Sequence, residues 1–233
     1  MESPKRAATH AANRARVLEV ARCLLAKEGA AGLSLREIAR EMDQASSALY
    51  RYFANRDELL TALIIDAYND LGSSVEEAEA KVDRSDLEER FRVAGRAVRE
   101  WAISHPHEYG LIFGTPVPGY VAPEATVAAA TRVPHVLIGI VIDRFQELPA
   151  HTHDGRIERA LQWETIEKVM PHAPPAYAFR AIMVWTHLFG FVNFEIFGHF
   201  EGSVQDPAMA FELTLDELLG MLRLARENIN PLP

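Results

Sequence analysis

Residues 46–60 read SSALYRYFANRDELL, and this stretch decides how the whole chain is interpreted. At about 100° per residue, a short helix over about 46–53 places Leu49 and Phe53 on one inward face. The outward face carries two small side chains and one guanidinium, which belong to Ser47, Ala48 and Arg51. Small side chains permit close approach to a DNA major groove, and a guanidinium donates to guanine or phosphate. The stretch therefore predicts a short DNA-reading helix whose edge hydroxyl groups contact phosphate.

Three further helices surround this stretch in the sequence pattern. The apolar face of the first is formed by Val17, Ala21, Leu24 and Leu25. This first helix is expected to end at Gly29, and Ser34 with Glu37 forms a capping-box pattern that begins the second. The second has an apolar face formed by Leu35, Ile38, Ala39 and Met42. A longer fourth helix is expected from about Arg56 to about Leu71, so the two short helices between form a predicted helix-turn-helix.

Charge is distributed unevenly along the chain. The formal net charge is −9. Residues 1–56 nevertheless hold 10 Lys and Arg against 6 Asp and Glu, a balance of +4. The remaining residues hold 14 basic and 27 acidic side chains, a balance of −13. A basic head on an acidic body is expected when only one end of a protein meets phosphate.

Three motifs at fixed spacing lie in the basic head. They are an Ile-Ala pair, a Leu-Tyr-x-x-Phe helix and a basic-acidic-x-Leu-Leu helix start, found at Ile38-Ala39, 49–53 and 56–60. With these motifs, about residues 12–70 are similar to the DNA-binding segment of TetR-family transcriptional repressors. Two positions depart from the family pattern. Asp43 stands where the turn often has Gly, and Ala45 stands where the helix cap is usually Ser or Thr.

The resemblance implies which residues touch a double-stranded DNA operator. The implied phosphate contacts are Tyr50, Tyr52 and Arg56. The implied base contacts are Arg36, Ser46, Ser47 and Ala48. The residue pattern itself adds Ser34, which opens the second helix, and Arg51, which points outward.

The rest of the chain also reads as helical, with no clear alternating strand pattern. Helices are expected at about 85–104, 106–114, 123–148, 155–170, 175–200 and 207–228. The predicted fold is all-α, with a three-helix helix-turn-helix domain at 1–56 and a connecting helix at about 56–71. A larger helical domain at 72–233 is predicted to bind a ligand and to dimerise, as the family resemblance implies.

Aromatic residues mark the predicted ligand site in this second domain. Residues 185–190 read WTHLFG and resemble a subgroup of the family marked by Trp-x-His-x-x-Gly. An aromatic stripe continues at every fourth position from residue 101 to 113 if the helix passes through Pro106. The predicted contacts of a small, largely apolar effector are Trp101, His105, Tyr109, Phe113, Trp185, His187, Phe191 and Asn193. Each has core packing as its alternative.

A homodimer is predicted because one recognition helix reads only a few base pairs, so a palindromic operator needs two. The helices at about 175–200 and 207–228 are predicted to form a four-helix interface between two chains. Gly190 and Gly198 are expected to allow close approach there. Leu215 and Leu222 are expected to lie in the interface.

Other classes of protein find little support in the sequence. No nucleophile elbow or phosphate-binding glycine loop is visible, so neither an enzyme nor a cofactor is expected. His187, Glu195 and His199 lie within about 120° of arc on one helix, but no metal-binding motif supports a site. A metal sensor, or a helical small-molecule-binding protein without specific DNA binding, remains the alternative.

Composition and apolar runs give the expected environment. The single cysteine, Cys23, excludes a disulfide framework, and the apolar pattern around it predicts a packed side chain. The first 16 residues lack the apolar core of a secretory signal. Residues 178–200 contain Arg180, His187, Asn193, Glu195 and His199 and are expected to form a buried helix, not a membrane span. The sequence thus predicts a cytosolic, ligand-responsive homodimeric repressor.

Overall fold

The structure is a computed structural model that describes residues 4–145 and 155–222. Within these ranges every regular element is a helix, which confirms the predicted all-α class. The helices are α1 Pro4–Gly32, α2 Leu35–Glu41, α3 Ser46–Leu49, α4 Arg56–Glu79, α5 Leu87–Ser104, α6 Pro106–Phe113, α7 Val127–Ala130, α8 Arg132–Phe145, α9 Gly155–Ala160, α10 Trp163–Val169, α11 Pro175–Ile196 and α12 Pro207–Leu222. A single 3-10 turn, Glu124–Thr126, precedes α7 in the described chain.

The chain forms two compact units that do not follow a single cut in the sequence. The first contains the described residues up to Asp70 together with His105–Ala130. The second contains Leu71–Ser104 and the described residues from Thr131 onward. The first part of α4 therefore belongs to the first unit, and its last part belongs to the second.

The core of the first unit is built from the apolar faces that the sequence pattern predicts. The α1 and α2 members of that pattern that are buried are Val17, Ala21, Leu24, Leu25, Leu35, Ile38 and Ala39. Leu49 and Phe53 join them from the predicted reading segment, with 0% and 2% of their surface exposed. Leu111, Val117 and Tyr120 pack against this core from the later part of the unit. Apolar burial thus joins two segments that are distant in sequence.

Local signals place the helix ends in the first unit. The helical path of α1 is interrupted at Gly29, where φ is +70°, as the sequence predicts. Ser34 Oγ accepts from Glu37 N at 3.2 Å and so begins α2. Asn55 Oδ1 accepts from Glu58 N at 2.9 Å, and Glu58 Oε2 accepts from Ala54 N at 2.6 Å. This second pair resembles a capping box and begins α4.

The second unit is held together by α5, which presents arginines to two other helices. Arg99 donates to both oxygens of Glu195 on α11, at 2.7 and 2.5 Å. Arg96 donates to both oxygens of Glu212 on α12, each at 2.8 Å. These bidentate pairs hold α11 and α12 against α5, and the hydrogen bonds from Arg96 lower the pKa of Glu212.

Several helix boundaries differ from the sequence prediction. Instead of one helix over 123–148, α7 ends at Ala130 and α8 begins at Arg132. Pro134 explains this break, because a proline ring clashes with the carbonyl four residues earlier, that of Ala130. The predicted helix at 155–170 is divided into α9 and α10, and α4 extends to Glu79. The expected end of the last helix, from residue 223 onward, lies outside the described residues.

Helix α11 is the most apolar long helix, and it packs against α5, α8, α9 and α12. It ends in a Schellman motif, in which Gly198 has φ +74° and His199 N donates to Phe194 O at 2.8 Å. Gly198 therefore terminates the helix. Its role in a close approach between two chains stays a prediction. No single described helix is long and apolar enough to cross a membrane. One bent pair, Glu124–Ala130 with Arg132–Arg144, passes that test by length and composition alone.

Cys23 is exposed, which contradicts the prediction of a packed side chain. The cysteine follows Arg22 on α1 and lies outside the buried face formed by its neighbours Ala21 and Leu24. The apolar run around residue 23 is therefore wider than the stripe that reaches the core.

Candidate nucleic-acid interface and effector cavity

The two short helices α2 and α3 form the predicted helix-turn-helix. The turn between them passes through Asp43, whose φ of +52° lies in the left-handed region. Aspartate reaches this region more readily than most residues do, so it replaces the glycine of the family pattern at modest cost. Ala45 is the N-cap of α3 and makes no side-chain cap hydrogen bond. α3 is one turn long, shorter than predicted, but Phe53 N still donates to Leu49 O at 3.1 Å.

This geometry separates an inward side of the reading segment from an outward one. The outward positions Ser47, Tyr50 and Arg51 are exposed, while Ser46, Ala48 and Tyr52 are partly buried. Arg51 Nε donates to Ala48 O at 3.3 Å, and its guanidinium lies 5.9 Å from the centre of the Tyr52 ring. Ser47, Tyr50 and Arg51 are thus presented to solvent, a surface that can approach base edges and phosphates. Ala48, which was predicted to face outward, packs against the core instead, as Tyr52 does.

Two residues of α1 support this segment and were not found by the sequence pattern. The ring of His10 lies 4.9 Å from that of Tyr52, and His10 Nε2 is 3.4 Å from Arg51 O. The guanidinium of Arg14 lies 4.8 Å from the centre of the Phe53 ring. Both contacts bridge about 40 residues, and no short motif records them. The early turns of α1 are therefore part of the candidate interface.

The remaining predicted DNA contacts lie on the neighbouring helices, and one of them, Arg56, also forms hydrogen bonds within the protein. Arg36 is exposed on α2, and Ser34 is partly buried because its hydroxyl caps that helix. Arg56 donates through Nε to Leu33 O at 2.9 Å and through Nη2 to Ala30 O at 2.7 Å. These carbonyls lie at the end of α1, so Arg56 acts as a cap for that helix.

The predicted aromatic stripe at 101–113 is divided by the fold. α5 ends at Ser104, His105 has non-helical dihedral angles, and α6 begins at Pro106. Trp101 is buried in the second unit, whereas His105, Tyr109 and Phe113 belong to the first. The helix does not carry through the Pro106 bend, so the four residues do not form one stripe.

In the first unit Tyr109 is fully buried beside Phe113, with ring centres 5.0 Å apart. Its hydroxyl has no hydrogen-bond partner among the described residues, and burial raises its pKa. Phe113 also packs edge-on against Tyr68 at 5.8 Å. His105 is partly buried, with its Nε2 3.9 Å from Asp70 Oδ2. An unsatisfied buried hydroxyl is costly, so Tyr109 is the member of this group with a clear need for a further partner.

The second unit contains a cavity of about 120 Å³ between α5, α8, α10, α11 and α12. Its walls are apolar and are formed by Phe91, Pro134, Leu137, Ile138, Val141, Ile166, Met170, Ala181, Ile182, Val184, Trp185 and Leu222. Trp185 is the single predicted ligand contact among them. The cavity residues on α8 follow one another at helical spacing, a signal that the sequence pattern alone could not distinguish from ordinary core packing.

The other predicted contacts on α11 lie elsewhere. His187 is exposed, and its Nδ1 is 2.7 Å from Met183 O. Phe191 packs against Phe200 and Phe211, with ring centres 4.8 and 5.3 Å apart. Asn193 Oδ1 is buried without a hydrogen-bond partner among the described residues. These residues do not line the cavity.

The three residues considered for a metal have other neighbours. Glu195 is paired with Arg99, His187 is close to the Met183 carbonyl, and the His199 ring lies 5.1 Å from that of Phe194. Within residues 4–145 and 155–222, no group of three or more His, Cys, Asp or Glu side chains could hold a metal ion. His151 and His153, also weighed in the sequence, lie outside these ranges.

Known proteins place this architecture in a family. Residues 17–63 match the model of bacterial regulatory proteins of the tetR family, and residues 91–218 match that of the tetracyclin repressor-like, C-terminal domain. The HTH-type transcriptional regulator Rv1816 of Mycobacterium tuberculosis is 34% identical over 218 residues, which is 89% of this chain and 91% of that protein.

Solved structures agree with this placement. The regulatory protein SCO4313 is 33% identical, with a TM-score of 0.78 over 94% of this chain and 100% of its own. RolR in complex with resorcinol shares the fold at 16% identity, with a TM-score of 0.53 over 96% of this chain and 98% of its own.

The chain belongs to the TetR family of helix-turn-helix transcriptional regulators. This confirms the family that the head motifs indicated and the expectation of a regulator, not an enzyme. The subgroup suggested by Trp185, His187 and Gly190 is not confirmed, because the C-terminal match is to a different C-terminal family. A motif of only three residues on an apolar helix was too short to identify the subgroup.

Proposed function

We propose that this regulator is a ligand-responsive repressor that binds a palindromic operator as a homodimer in the cytoplasm. A small, largely apolar effector releases it from DNA. The observation that carries the proposal is the reading segment. Its residues Leu49 and Phe53 are buried in the core, while Ser47, Tyr50 and Arg51 are exposed to solvent. Since one segment of this size reads only a few base pairs, two copies are needed for useful specificity.

Replacing Arg51 by Ala tests the reading surface. We expect operator affinity to fall about 10-fold or more, because the outward guanidinium contacts a base edge or a phosphate. Operator affinity is measured by fluorescence anisotropy on a duplex selected by the wild-type protein from a randomised library. Loss of a phosphate contact should reduce the slope of affinity against salt concentration. Loss of a base contact should instead relax the preference of the protein among operator sequences.

The matched control for this experiment is Arg159→Ala, which removes the same charge from an exposed position on α9. It should leave affinity and salt slope unchanged. If Arg51→Ala behaves like this control, the outward surface of the reading segment is not the DNA-binding surface.

The proposed dimer uses an apolar face of α11 and α12 that is exposed in the single chain. Its large side chains are Phe179 and Phe194 on α11, Phe197 at the C-cap of α11, and Met209 and Leu213 on α12. These positions recur at helical spacing on one side of each helix. Gly190 and Gly220 lie on the same sides, where a Cβ added to either would meet no atom within 4 Å. An exposed patch of this kind on two packed helices supports a four-helix interface between two chains.

The proposed effector site is the apolar cavity of the second unit. A cavity of about 150 Å³ with similar walls can bind benzene, so 120 Å³ suits a single small ring or a short hydrocarbon. The structural neighbour RolR is in complex with resorcinol, a small aromatic with two hydroxyl groups. The apolar walls here favour a ring without hydroxyls, because buried hydroxyls need hydrogen-bond partners. The predicted effector contacts outside the cavity walls, Tyr109 and Asn193 among them, stay predictions.

Toluene is therefore expected to raise the melting temperature of the protein more than resorcinol does, and to weaken operator binding about 5-fold or more. Ala181→Leu should abolish both effects of toluene, because the larger side chain occupies the cavity. The matched control Ala160→Leu adds the same bulk at an exposed position on α9 and should keep them. Thermal stabilisation by toluene without any change in operator affinity would show that the cavity does not regulate DNA binding.

A further inference from the structure

The first unit contains a groove beside the reading segment that the proposed function does not use. The groove has a volume of about 580 Å³ and lies between α1, the start of α4 and the residues at 120–123. All of its wall residues belong to the first unit. The walls include three aromatic rings and three charged side chains, which belong to Tyr52, Phe53, Tyr120, Arg14, Asp57 and Glu58. A groove of this size has room for a small metabolite.

The aromatic walls of the groove are held in place by contacts within the unit. The Tyr120 hydroxyl lies 2.9 Å from Thr61 Oγ1, and the Tyr120 ring packs against the core of the unit. The Phe53 ring is 2% exposed, and the Arg14 guanidinium lies 4.8 Å from its centre. These walls are therefore ordered before a ligand binds, which lowers the entropic cost of binding.

The start of α4 supplies two carboxylates, and one of them is used within the chain. Glu58 Oε2 accepts from Ala54 N at 2.6 Å and helps to cap α4. Asp57 is exposed, and it forms no hydrogen bond or ion pair with any residue that the structure describes. The Asp57 carboxylate is therefore able to accept hydrogen bonds from a ligand ammonium group.

The groove also contains a guanidinium without an acidic partner. Arg14 is partly buried over the Phe53 ring, and it makes no hydrogen bond or ion pair within residues 4–145 and 155–222. Arg14 and Asp57 line the same groove, yet their side chains do not pair with each other. A guanidinium that packs on a ring keeps its N–H donors available, and a carboxylate can accept two of them at once.

We propose that this groove binds a free amino acid with a large apolar or aromatic side chain. Arg14 donates to the α-carboxylate of the amino acid, and Asp57 accepts from its α-ammonium group. A ligand with only a positive charge is repelled by Arg14, and one with only a negative charge is repelled by Asp57 and Glu58. A dipolar ligand satisfies both signs of charge, and its side chain packs against the rings of Tyr52 and Tyr120.

This amino-acid site is separate from the effector cavity proposed for the second unit. The two sets of wall residues have no member in common. The amino-acid site can therefore be correct even if toluene has no effect on operator binding, and the reverse also holds.

Three ligands with the same phenylethyl skeleton test the proposal. Isothermal titration calorimetry of the full chain at pH 7 compares L-phenylalanine, which carries both charges, with 2-phenylethylamine and 3-phenylpropanoate, which carry one each. We expect L-phenylalanine to bind about 10-fold or more tightly than either, because each missing charge removes a charge-assisted hydrogen bond. Equal affinity for the three ligands, or no binding of L-phenylalanine, overturns the proposal.

Two substitutions test whether the ligand lies in the groove. Asp57→Asn removes the group that recognises the ammonium, so the preference for L-phenylalanine over 3-phenylpropanoate should disappear. Arg14→Gln removes the group that recognises the carboxylate, so the preference for L-phenylalanine over 2-phenylethylamine should disappear. Each variant should bind L-phenylalanine about 10-fold or more weakly than wild type.

The matched controls are Glu41→Gln on α2 and Arg16→Gln on α1, which remove the same charges from exposed positions outside the groove. Both should bind L-phenylalanine as wild type does. Because Arg14 also covers Phe53, circular dichroism checks that Arg14→Gln is folded, and Asp57→Asn decides the matter if it is not. If folded Asp57→Asn binds L-phenylalanine as tightly as Glu41→Gln does, the groove is not an amino-acid site.

Discussion

Leu213→Arg is expected to convert the protein to monomers and to reduce operator affinity by about 100-fold or more. Leu213 is 60% exposed on α12, within the apolar face proposed for the dimer. In the dimer the introduced guanidinium would be buried without a partner, which costs several kcal/mol. Loss of the dimer removes one of two half-site contacts, so affinity falls even though each reading segment is unchanged. Sedimentation velocity at micromolar concentration and anisotropy on the selected operator measure both effects.

The control for this experiment is Ala160→Arg, which adds the same charge at an exposed position of α9 and should stay dimeric. Leu215→Arg serves a different purpose. Leu215 is fully buried within the single chain, so a charge there should unfold the second unit and not merely separate the subunits. A wild-type protein that sediments as a monomer, or a Leu213→Arg variant that stays dimeric, would contradict the proposed interface.

Arg90→Ala is expected to lower the free energy of unfolding by about 3–5 kcal/mol, the range for breaking a buried ion pair. Removal of Arg90 takes away the guanidinium that donates to both Glu79 and Asp143. The matched control is Arg84→Ala, which also removes a partner of Asp143 but from a side chain that is 80% exposed. That change should cost no more than about 1 kcal/mol. Urea denaturation of both variants at pH 7 measures the difference.

The pH dependence of this difference provides a second check. Burial raises the pKa of Asp143, but hydrogen bonds from Arg90 and Arg84 outweigh burial and leave the pKa below its ordinary value of 3.8. The stabilisation is therefore complete above pH 3.8 and is lost as the pH falls through the lower folded-state value. Wild type and Arg90→Ala should converge in stability at the acidic end. Equal stability of wild type and Arg90→Ala at pH 7 would mean that the ion pairs of Arg90 with Glu79 and Asp143 do not stabilise the fold.

The parts of the fold that were predicted correctly depend on short-range patterns. The apolar faces of α1 and α2 recur at helical spacing, and Ser34 caps α2 through a residue three positions away. The reading segment followed from the same logic, because burial of Leu49 and Phe53 requires Ser47 and Arg51 to face outward. Such patterns are visible within a few residues of sequence.

The parts that were missed depend on contacts between distant residues or on a choice between two apolar faces. Arg56 donates hydrogen bonds to backbone carbonyls 23 and 26 residues earlier. Every residue has a backbone carbonyl, so the sequence pattern could not predict this contact. α12 is apolar on both sides, so the sequence could not decide that Leu215 and Leu222 pack inward while Leu213 is exposed. The prediction of one aromatic stripe over 101–113 was wrong because the helix breaks before Pro106, and the same break separates the two units.

The discontinuous make-up of the first unit has a consequence for its synthesis. Its helix-turn-helix leaves the ribosome well before Leu111, Val117 and Tyr120, which complete its core. At about 5–20 residues per second, the interval of about 50 residues corresponds to several seconds. During that time the apolar surface that receives these side chains has no cover, and Thr61 lacks the Tyr120 hydroxyl that lies 2.9 Å from its own. A nascent chain released near residue 70 would therefore carry the whole DNA-reading motif yet remain only partly assembled, a natural target for chaperones and proteases.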